Sequence, residues 1–181
     1  DVSNPRQGIH CVHSLHGHGG TILALESGPD VLLSTSTDGF LCIWRDQTPA
    51  KLLRYPAFSV CQKLAPDKSQ LLAGARSPKE TWFLSLFVRK GEMLTIFAGD
   101  SDGYVHILKS DMQGEAFVVV WKEKIHDRGI SRLIGVPMEA ILFTLSYDQR
   151  FKRVDNGHVT FEESNRCGAV FTDISWDPTF Q

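Results

Sequence analysis

One arrangement of apolar and polar positions occurs three times along the 181-residue chain. An apolar run enters a turn at an aspartate and leaves as a strand in which apolar and polar residues alternate; the three aspartates are Asp38, Asp102 and Asp148. Such alternation predicts a half-buried strand, and the Asp-Gly pair in the first two copies predicts a tight turn. The pattern therefore predicts repeated β-hairpins, and no segment has the period of an amphipathic helix.

Further apolar runs fill the intervals between these turns and divide the chain into groups of strands. The predicted units are an outer strand over 9–15, a full unit over 16–55, an irregular unit over 58–88, full units over 92–124 and 126–163, and the start of another over 168–178. The outer strand of the first full unit is placed at Lys51 to Tyr55. A repeat of this kind cannot bury both of its faces alone, so each unit needs neighbours. We therefore expect an all-β repeat fold.

The spacing between the first two turns does not fit the repeat. Asp148 follows Asp102 at about one period of 40–45 residues, whereas Asp102 follows Asp38 at about one and a half. We expect either a unit with fewer than four strands, or strand residues missing from the sequence, between Arg76 and Glu92. The second explanation is favoured, because repeat folds tolerate insertions better than lost strands.

The stretch around the first turn resembles a WD40 repeat. A Gly-His pair ending at His18, the turn at Asp38 and a strand ending at Trp44 have the spacing of one blade of a β-propeller. The resemblance implies a WD40-like β-propeller, here an incomplete segment of about four blades. The two other copies are degenerate, because Leu108 and Val154 stand where the first copy has tryptophan.

The resemblance also implies a chain of buried polar contacts in each blade. In the family, a histidine meets the turn aspartate and a serine or threonine, which in turn meets the tryptophan indole. The residues that fit this tetrad are His18, Ser36, Asp38 and Trp44. His126 and Asp148 fit half of it, with Ser146 between them. The blade of Asp102 has no matching histidine near Thr81, so we expect apolar packing to hold it.

The docking face of the family is built by the loops before the inner strands and between the second and third strands. The positions that match are Arg128, Tyr147, Thr37, Ser101 and Thr21. Arginine and tyrosine are enriched among interface hot spots, so Arg128 and Tyr147 are the leading candidates. The expected function is a non-catalytic protein-interaction scaffold, with other protein subunits of a larger assembly as partners.

Composition bounds this expectation. The net charge of −2 gives no basic footprint, so nucleic acid is not an expected partner. The alternative is a propeller module for phosphoinositide or nucleic acid, although the paired arginines of lipid-binding propellers are absent from the sequence. No apolar run is long enough for a membrane span, and no catalytic or cofactor motif occurs. We expect an intracellular, cytoplasmic protein, with nuclear or cytoskeletal and ciliary locations as alternatives.

The cysteines and histidines add no expected metal site. Cys11, Cys42, Cys61 and Cys167 form no Cys-x-x-Cys pair, which favours free thiols in a reducing compartment. The cluster from His10 to His18 alternates across a strand, so its possible ligands face opposite sides. We expect no metal and no cofactor.

Overall fold

The computed structural model describes residues 11, 14–28, 31–46, 58–64, 81–111, 116–136 and 139–175. Within this part of the chain, twelve β-strands form three four-stranded antiparallel sheets, called blades 1 to 3, and there is no helix. In each blade the strands lie in sequence order, from an inner first strand to an outer fourth strand. No helix long and apolar enough to cross a membrane occurs among these residues.

The strand bounds show a regular repeat. Blade 1 consists of β1 (Ile22–Gly28), β2 (Val31–Ser36), β3 (Leu41–Asp46) and β4 (Phe58–Leu64). Blade 2 consists of β5 (Phe83–Lys90), β6 (Leu94–Asp100), β7 (Tyr104–Ser110) and β8 (Phe117–Lys124). Blade 3 consists of β9 (Ile130–Gly135), β10 (Ile141–Ser146), β11 (Arg150–Asp155) and β12 (His158–Ser164).

The core lies between the blades. One apolar cluster joins blade 1 to blade 2, for example Leu33 to Phe83, and a second joins blade 2 to blade 3, for example Phe97 to Leu133. Each such side chain contributes about 1.5–3 kcal/mol when it is fully buried. The inner strands β5 and β9 are also tied directly, because the Ser85 hydroxyl donates to the Ile130 carbonyl at 3.0 Å. Blade 2 is thus packed between blades 1 and 3.

The irregular unit predicted over 58–88 is wrong. Residues 58–64 form the outer strand of blade 1, and β5 is the inner strand of blade 2, so two complete four-stranded blades cross this interval. Blade 1 therefore extends beyond residue 55 and blade 2 begins before residue 92; the described residues form three blades, not about four. The predicted strands at 51–55 and 70–75 lie outside the described residues.

The two predicted terminal strands have different outcomes. The outer strand over 9–15 lies mostly outside the described residues, and residues 14 and 15 are not in a strand. The strand predicted over 168–178 is not formed over residues 168–175. That segment nevertheless lies along β9, because Ser131 donates to the Phe171 carbonyl at 3.3 Å and Arg132 pairs with Asp173 at 3.1 Å. A strand requires a backbone ladder with a neighbour, and side-chain contacts alone do not supply one.

Candidate functional site

A buried polar network holds the turn of blade 1. His18 Nδ1 lies 3.0 Å from Asp38 Oδ2, and His18 Nε2 lies 2.7 Å from Ser34 Oγ. The Trp44 indole N–H donates to the same Ser34 oxygen at 2.7 Å. The hydrogen-bond pattern implies that Nδ1 carries the imidazole proton and that Ser34 donates to Nε2. The structure therefore brings His18, Asp38 and Trp44 together through one serine hydroxyl.

The bridging serine is Ser34, and the prediction of Ser36 is wrong. Both side chains lie on the same face of β2, because residues two apart along a strand point the same way. Ser34 pairs with Cys42 on β3, which places its hydroxyl at the depth of the indole. The Ser36 hydroxyl lies nearer the turn and accepts the Asp38 backbone N–H at 3.2 Å. Its role is to shape the turn, not to bridge the histidine and tryptophan.

Blade 3 repeats the network with a threonine. His126 Nδ1 lies 2.9 Å from Asp148 Oδ2, and His126 Nε2 lies 2.8 Å from Thr144 Oγ1. Ser146 was predicted between the histidine and the aspartate, but its hydroxyl donates instead to the Arg128 carbonyl at 2.9 Å. This bond fixes the backbone of the loop that carries Arg128.

Blade 2 is held by a different polar pair, which the sequence analysis missed. His106 Nε2 lies 2.8 Å from Asp100 Oδ2, and both side chains are 1% exposed. The other oxygen of Asp100 accepts the backbone N–H groups of Asp102 and Tyr104 at 3.0 and 2.8 Å. The expectation that mainly apolar packing holds this blade did not include this buried polar pair. The signal in the sequence was Asp100 and His106 flanking the turn, at the ends of paired strands.

Burial and hydrogen bonding shift the pKa values of these groups in definite directions. Burial by itself raises the pKa of Asp38 and Asp148, but the backbone and histidine donors around each carboxylate outweigh it and lower the net pKa. Burial lowers the pKa of His126, and the hydrogen bond that its Nδ1–H donates to Asp148 only partly opposes this effect. His126 is thus neutral at pH 7, which matches its role as an acceptor for Thr144.

The five predicted contact residues lie at one end of the blades. In each blade, the turn between the second and third strands is bonded to the segment just before the inner strand. The backbone N–H groups of Thr37, Ser101 and Tyr147 donate to the carbonyls of Thr21, Trp82 and Gly129 at 2.9, 2.8 and 3.0 Å. These bonds place the turns and the entry loops on a common face.

Side chains at equivalent turn positions have different roles on this face. The hydroxyls of Thr37 and Ser101 accept the backbone N–H groups of Thr21 and Trp82 at 2.9 and 3.1 Å, so they support the loops. Tyr147 makes no such bond, and 48% of its surface is exposed. Arg128 is also exposed. Tyr147 and Arg128 are therefore the predicted residues with side chains available for a partner.

Arg128, Tyr147 and Ser101 meet around one depression of about 760 Å³. Thr21 and Thr37 do not line it, although Leu23 at the start of β1 does. Its other walls include aromatic and basic side chains that the sequence analysis did not select: Trp82, Tyr104 and Lys124. The available signal in the sequence was Tyr104, an aromatic residue two positions after Asp102 at the turn.

The charged side chains in this depression differ in whether they have a bonding partner. Asp127 forms an ion pair with Arg150 at 3.2 Å, and Asp102 accepts the Thr81 hydroxyl at 3.1 Å. Among the residues that the structure describes, Arg128 and Lys124 have no carboxylate partner; Lys124 lies over the Tyr104 ring, 5.8 Å from its centroid. The depression therefore offers aromatic surface, two positive charges without a carboxylate partner, and the Asp102 carboxylate, whose partner is a neutral hydroxyl.

No group of three or more metal-binding side chains occurs in the described ranges. His10 and His13 of the predicted cluster lie outside them. His16 is exposed, and His18 is bound to Asp38 and Ser34. In the same ranges Cys11, Cys42 and Cys167 are free thiols, and only Cys42 is buried.

Solved structures with the same fold are found by comparison. The crystal structure of the RRP9 WD40 repeats matches with a TM-score of 0.58 and 17% identity, over 83% of this chain and 41% of that chain. The structure of U3-55K matches with a TM-score of 0.56 and 18% identity, over the same shares, 83% and 41%. This chain thus spans about two fifths of the length of these structures. No family model and no curated protein matches it. The predicted WD40-like propeller fold is confirmed.

Proposed function

We propose that this WD40-like propeller segment is a non-catalytic interaction module, which binds other protein subunits of a larger intracellular assembly. The observation that carries the proposal is the depression shared by Arg128, Tyr147 and Ser101, because it collects side chains from separate blades into one concave surface. Large aromatic residues and arginine dominate the energetics of protein interfaces. Specificity resides in the loops, since the strands are committed to packing.

Rigidity supports the same function. The loop from His126 to Gly129 is tied by the Asp127 N–H to Asp148 at 3.1 Å, by Ser146 to the Arg128 carbonyl at 2.9 Å, and by the Tyr147 N–H to the Gly129 carbonyl at 3.0 Å. A loop fixed in this way loses little conformational freedom on binding. The unpaired Arg128 and Lys124 favour an acidic segment of the partner.

The test uses the full chain with Arg128→Ala and Tyr147→Ala combined. Both side chains are exposed, so the fold should be unchanged by circular dichroism. Each hot-spot truncation weakens binding by about 2 kcal/mol or more, about thirtyfold in affinity. Affinity capture from cells followed by quantitative mass spectrometry should show specific partners lost by the double variant. The matched control is His158→Ala with Arg166→Ala, two exposed positions outside the depression.

The phosphoinositide or nucleic-acid alternative is tested with the same proteins. Anionic vesicles and single-stranded oligonucleotides are titrated at low and physiological salt, since phosphate binding weakens steeply as salt rises. We expect no binding that survives physiological salt. Salt-sensitive binding of vesicles or oligonucleotides that is lost in the Arg128 and Tyr147 variant would indicate a phosphate-bearing ligand at this face in place of a protein partner. Protein capture that is unchanged in that variant would move the interface off this face.

A further inference from the structure

A second concavity lies between blades 2 and 3, at the end of the blades opposite to Tyr147. It has a volume of about 290 Å³ and lies against strands β6, β7 and β8 on one side. The other side consists of two turns of blade 3, before β10 and after β11, which are joined by the Asn156 N–H to the Ala140 carbonyl at 2.9 Å. We call this concavity the inter-blade groove; none of the predicted contact residues lines it.

The groove is open because of a glycine and is held by an arginine. Gly157 has φ of +85°, and a Cβ at this position would come within 3.5 Å of the Trp121 Nε1 atom. Its missing side chain leaves the edge of the indole uncovered. Arg89 donates to the Glu139 carbonyl at 2.6 Å and lies over the Phe97 ring, 5.4 Å from its centroid. This arginine links the two blades across the groove and fixes its shape.

The groove combines apolar walls with two hydrogen-bond donors that have no acceptor among the described residues. Ile107, Val120, Leu142 and other apolar side chains form most of its lining. In the part of the chain that the structure describes, neither the Lys109 ammonium nor the half-buried Trp121 indole N–H has an acceptor. A half-buried donor gains most from an acceptor that excludes water, and a carboxylate is the strongest acceptor among protein side chains. The lining thus selects an apolar group next to a carboxylate.

The surface around the groove favours a protein segment over a small molecule. The groove of about 290 Å³ lies at the lower end of small-molecule pockets, which measure about 300–1,000 Å³, and it also accommodates one large side chain. The apolar surface also continues outside the groove, because Val118 and Val120 on the outer strand β8 are 55% and 50% exposed. An extended segment can place one side chain in the groove and cover these valines with its neighbours.

We infer that the inter-blade groove binds an extended segment of a partner protein. One large apolar side chain of that segment inserts beside Trp121, and an adjacent carboxylate of the segment pairs with the Lys109 ammonium. Charge complementarity supports this occupant, since Lys109 and Arg89 contribute two positive charges to the groove and Glu139 one negative charge. The site is separate from the depression around Arg128, so it gives the module a second point of attachment and does not depend on the first.

The test selects ligands from a display library of random ten-residue peptides on the full chain. An enriched peptide is labelled, and its affinity is measured by fluorescence anisotropy. We expect enriched peptides to carry Asp or Glu within three positions of a large apolar residue. Lys109→Glu should weaken binding at least about tenfold, the usual loss for a charge-assisted hydrogen bond, while Lys109→Arg should stay within about threefold. Replacing the peptide carboxylate by its amide should also cost at least about tenfold.

Two further variants locate the bound peptide. Ala140→Trp places a bulky side chain at the mouth of the groove from an exposed turn, and it should abolish binding. Arg128→Ala with Tyr147→Ala should leave peptide binding unchanged. Enrichment of no peptide, or equal binding to the Ala140→Trp protein, would overturn the inference. If Ala140→Trp fails to fold, the Lys109→Glu and Lys109→Arg variants and the amide peptide test the inference instead. Dependence on Arg128 and Tyr147 alone would overturn this site while supporting the proposed face.

Discussion

Removing the Ser34 hydroxyl should destabilise blade 1 much more than removing the Ser36 hydroxyl. Ser34 is 3% exposed, accepts the Trp44 indole N–H at 2.7 Å and lies 2.7 Å from His18 Nε2. In Ser34→Ala both nitrogen atoms lose their partner at a buried site, at about 1–3 kcal/mol for each unsatisfied group. The free energy of unfolding should therefore fall by about 2–6 kcal/mol. Ser36→Ala loses one bond to a backbone N–H, about 0.5–1.5 kcal/mol.

Thermal and guanidinium unfolding of the two variants measure this difference. For a chain of this size, about 1 kcal/mol shifts the melting temperature by about 2–4 °C, so Ser34→Ala should lower it by about 4–24 °C. A double-mutant cycle with Trp44→Phe isolates the indole bond, because phenylalanine has no N–H to leave unsatisfied. In that background the cost of Ser34→Ala should shrink by about 1–3 kcal/mol.

Trp44→Ala gives the scale for the whole network. The side chain is 4% exposed, so its truncation should cost about 3–5 kcal/mol. The assigned network is refuted if Ser36→Ala destabilises the protein more than Ser34→Ala, or if the Trp44→Phe background leaves the cost of Ser34→Ala unchanged.

Three other perturbations test the polar pairs and turns. His106→Leu leaves the buried Asp100 carboxylate without the His106 hydrogen-bond donor and should cost about 1–3 kcal/mol or more in urea unfolding; a loss under about 1 kcal/mol would contradict the pairing. Because burial lowers the pKa of His126, this histidine takes up a proton at a higher pH in the unfolded chain than in the folded one. The melting temperature should therefore fall as the pH drops below about 6.5. The fall should be less steep in His126→Gln, which has no imidazole to protonate. Gly103→Ala should cost about 2 kcal/mol or more by thermal unfolding, because φ is +88° and a Cβ would meet a backbone carbonyl of the next blade, whereas Gly19→Ala, with open space around it, should change little.

The turns and the strand periodicity could be predicted from the sequence because both depend on residues close together in the chain. An aspartate and glycine between two alternating runs specify a hairpin whatever surrounds them, and β6 with β7 lies on either side of the Asp102 turn, where the pattern placed a hairpin. The buried hydrogen-bond partners on these hairpins were harder to predict from the sequence. Ser34 and Ser36 have the same strand parity, so only the position of Trp44 across the ladder separates their roles.

The blade assignment failed where it depended on connections. Nothing in the residues after β3 indicates how far the chain runs before it returns to pair, so residues 58–64 were assigned to a new unit instead of to blade 1. Loop lengths are weakly constrained, because loop closure costs rise only slowly with length. The pairing partner of a strand is therefore a tertiary fact that the sequence of the strand does not contain.

The sequence by itself determined the repeat and the all-β class, since both follow from short-range patterns repeated along the chain, and its resemblance to the WD40 family assigned Arg128 and Tyr147 to one face. Only the tertiary structure decided the Asp100 and His106 pair and the inter-blade groove. That pair forms across a hairpin at two positions outside the repeated motif. The groove exists because Gly157 of one blade faces Trp121 of another, and residues that distant in sequence become neighbours only when the blades pack.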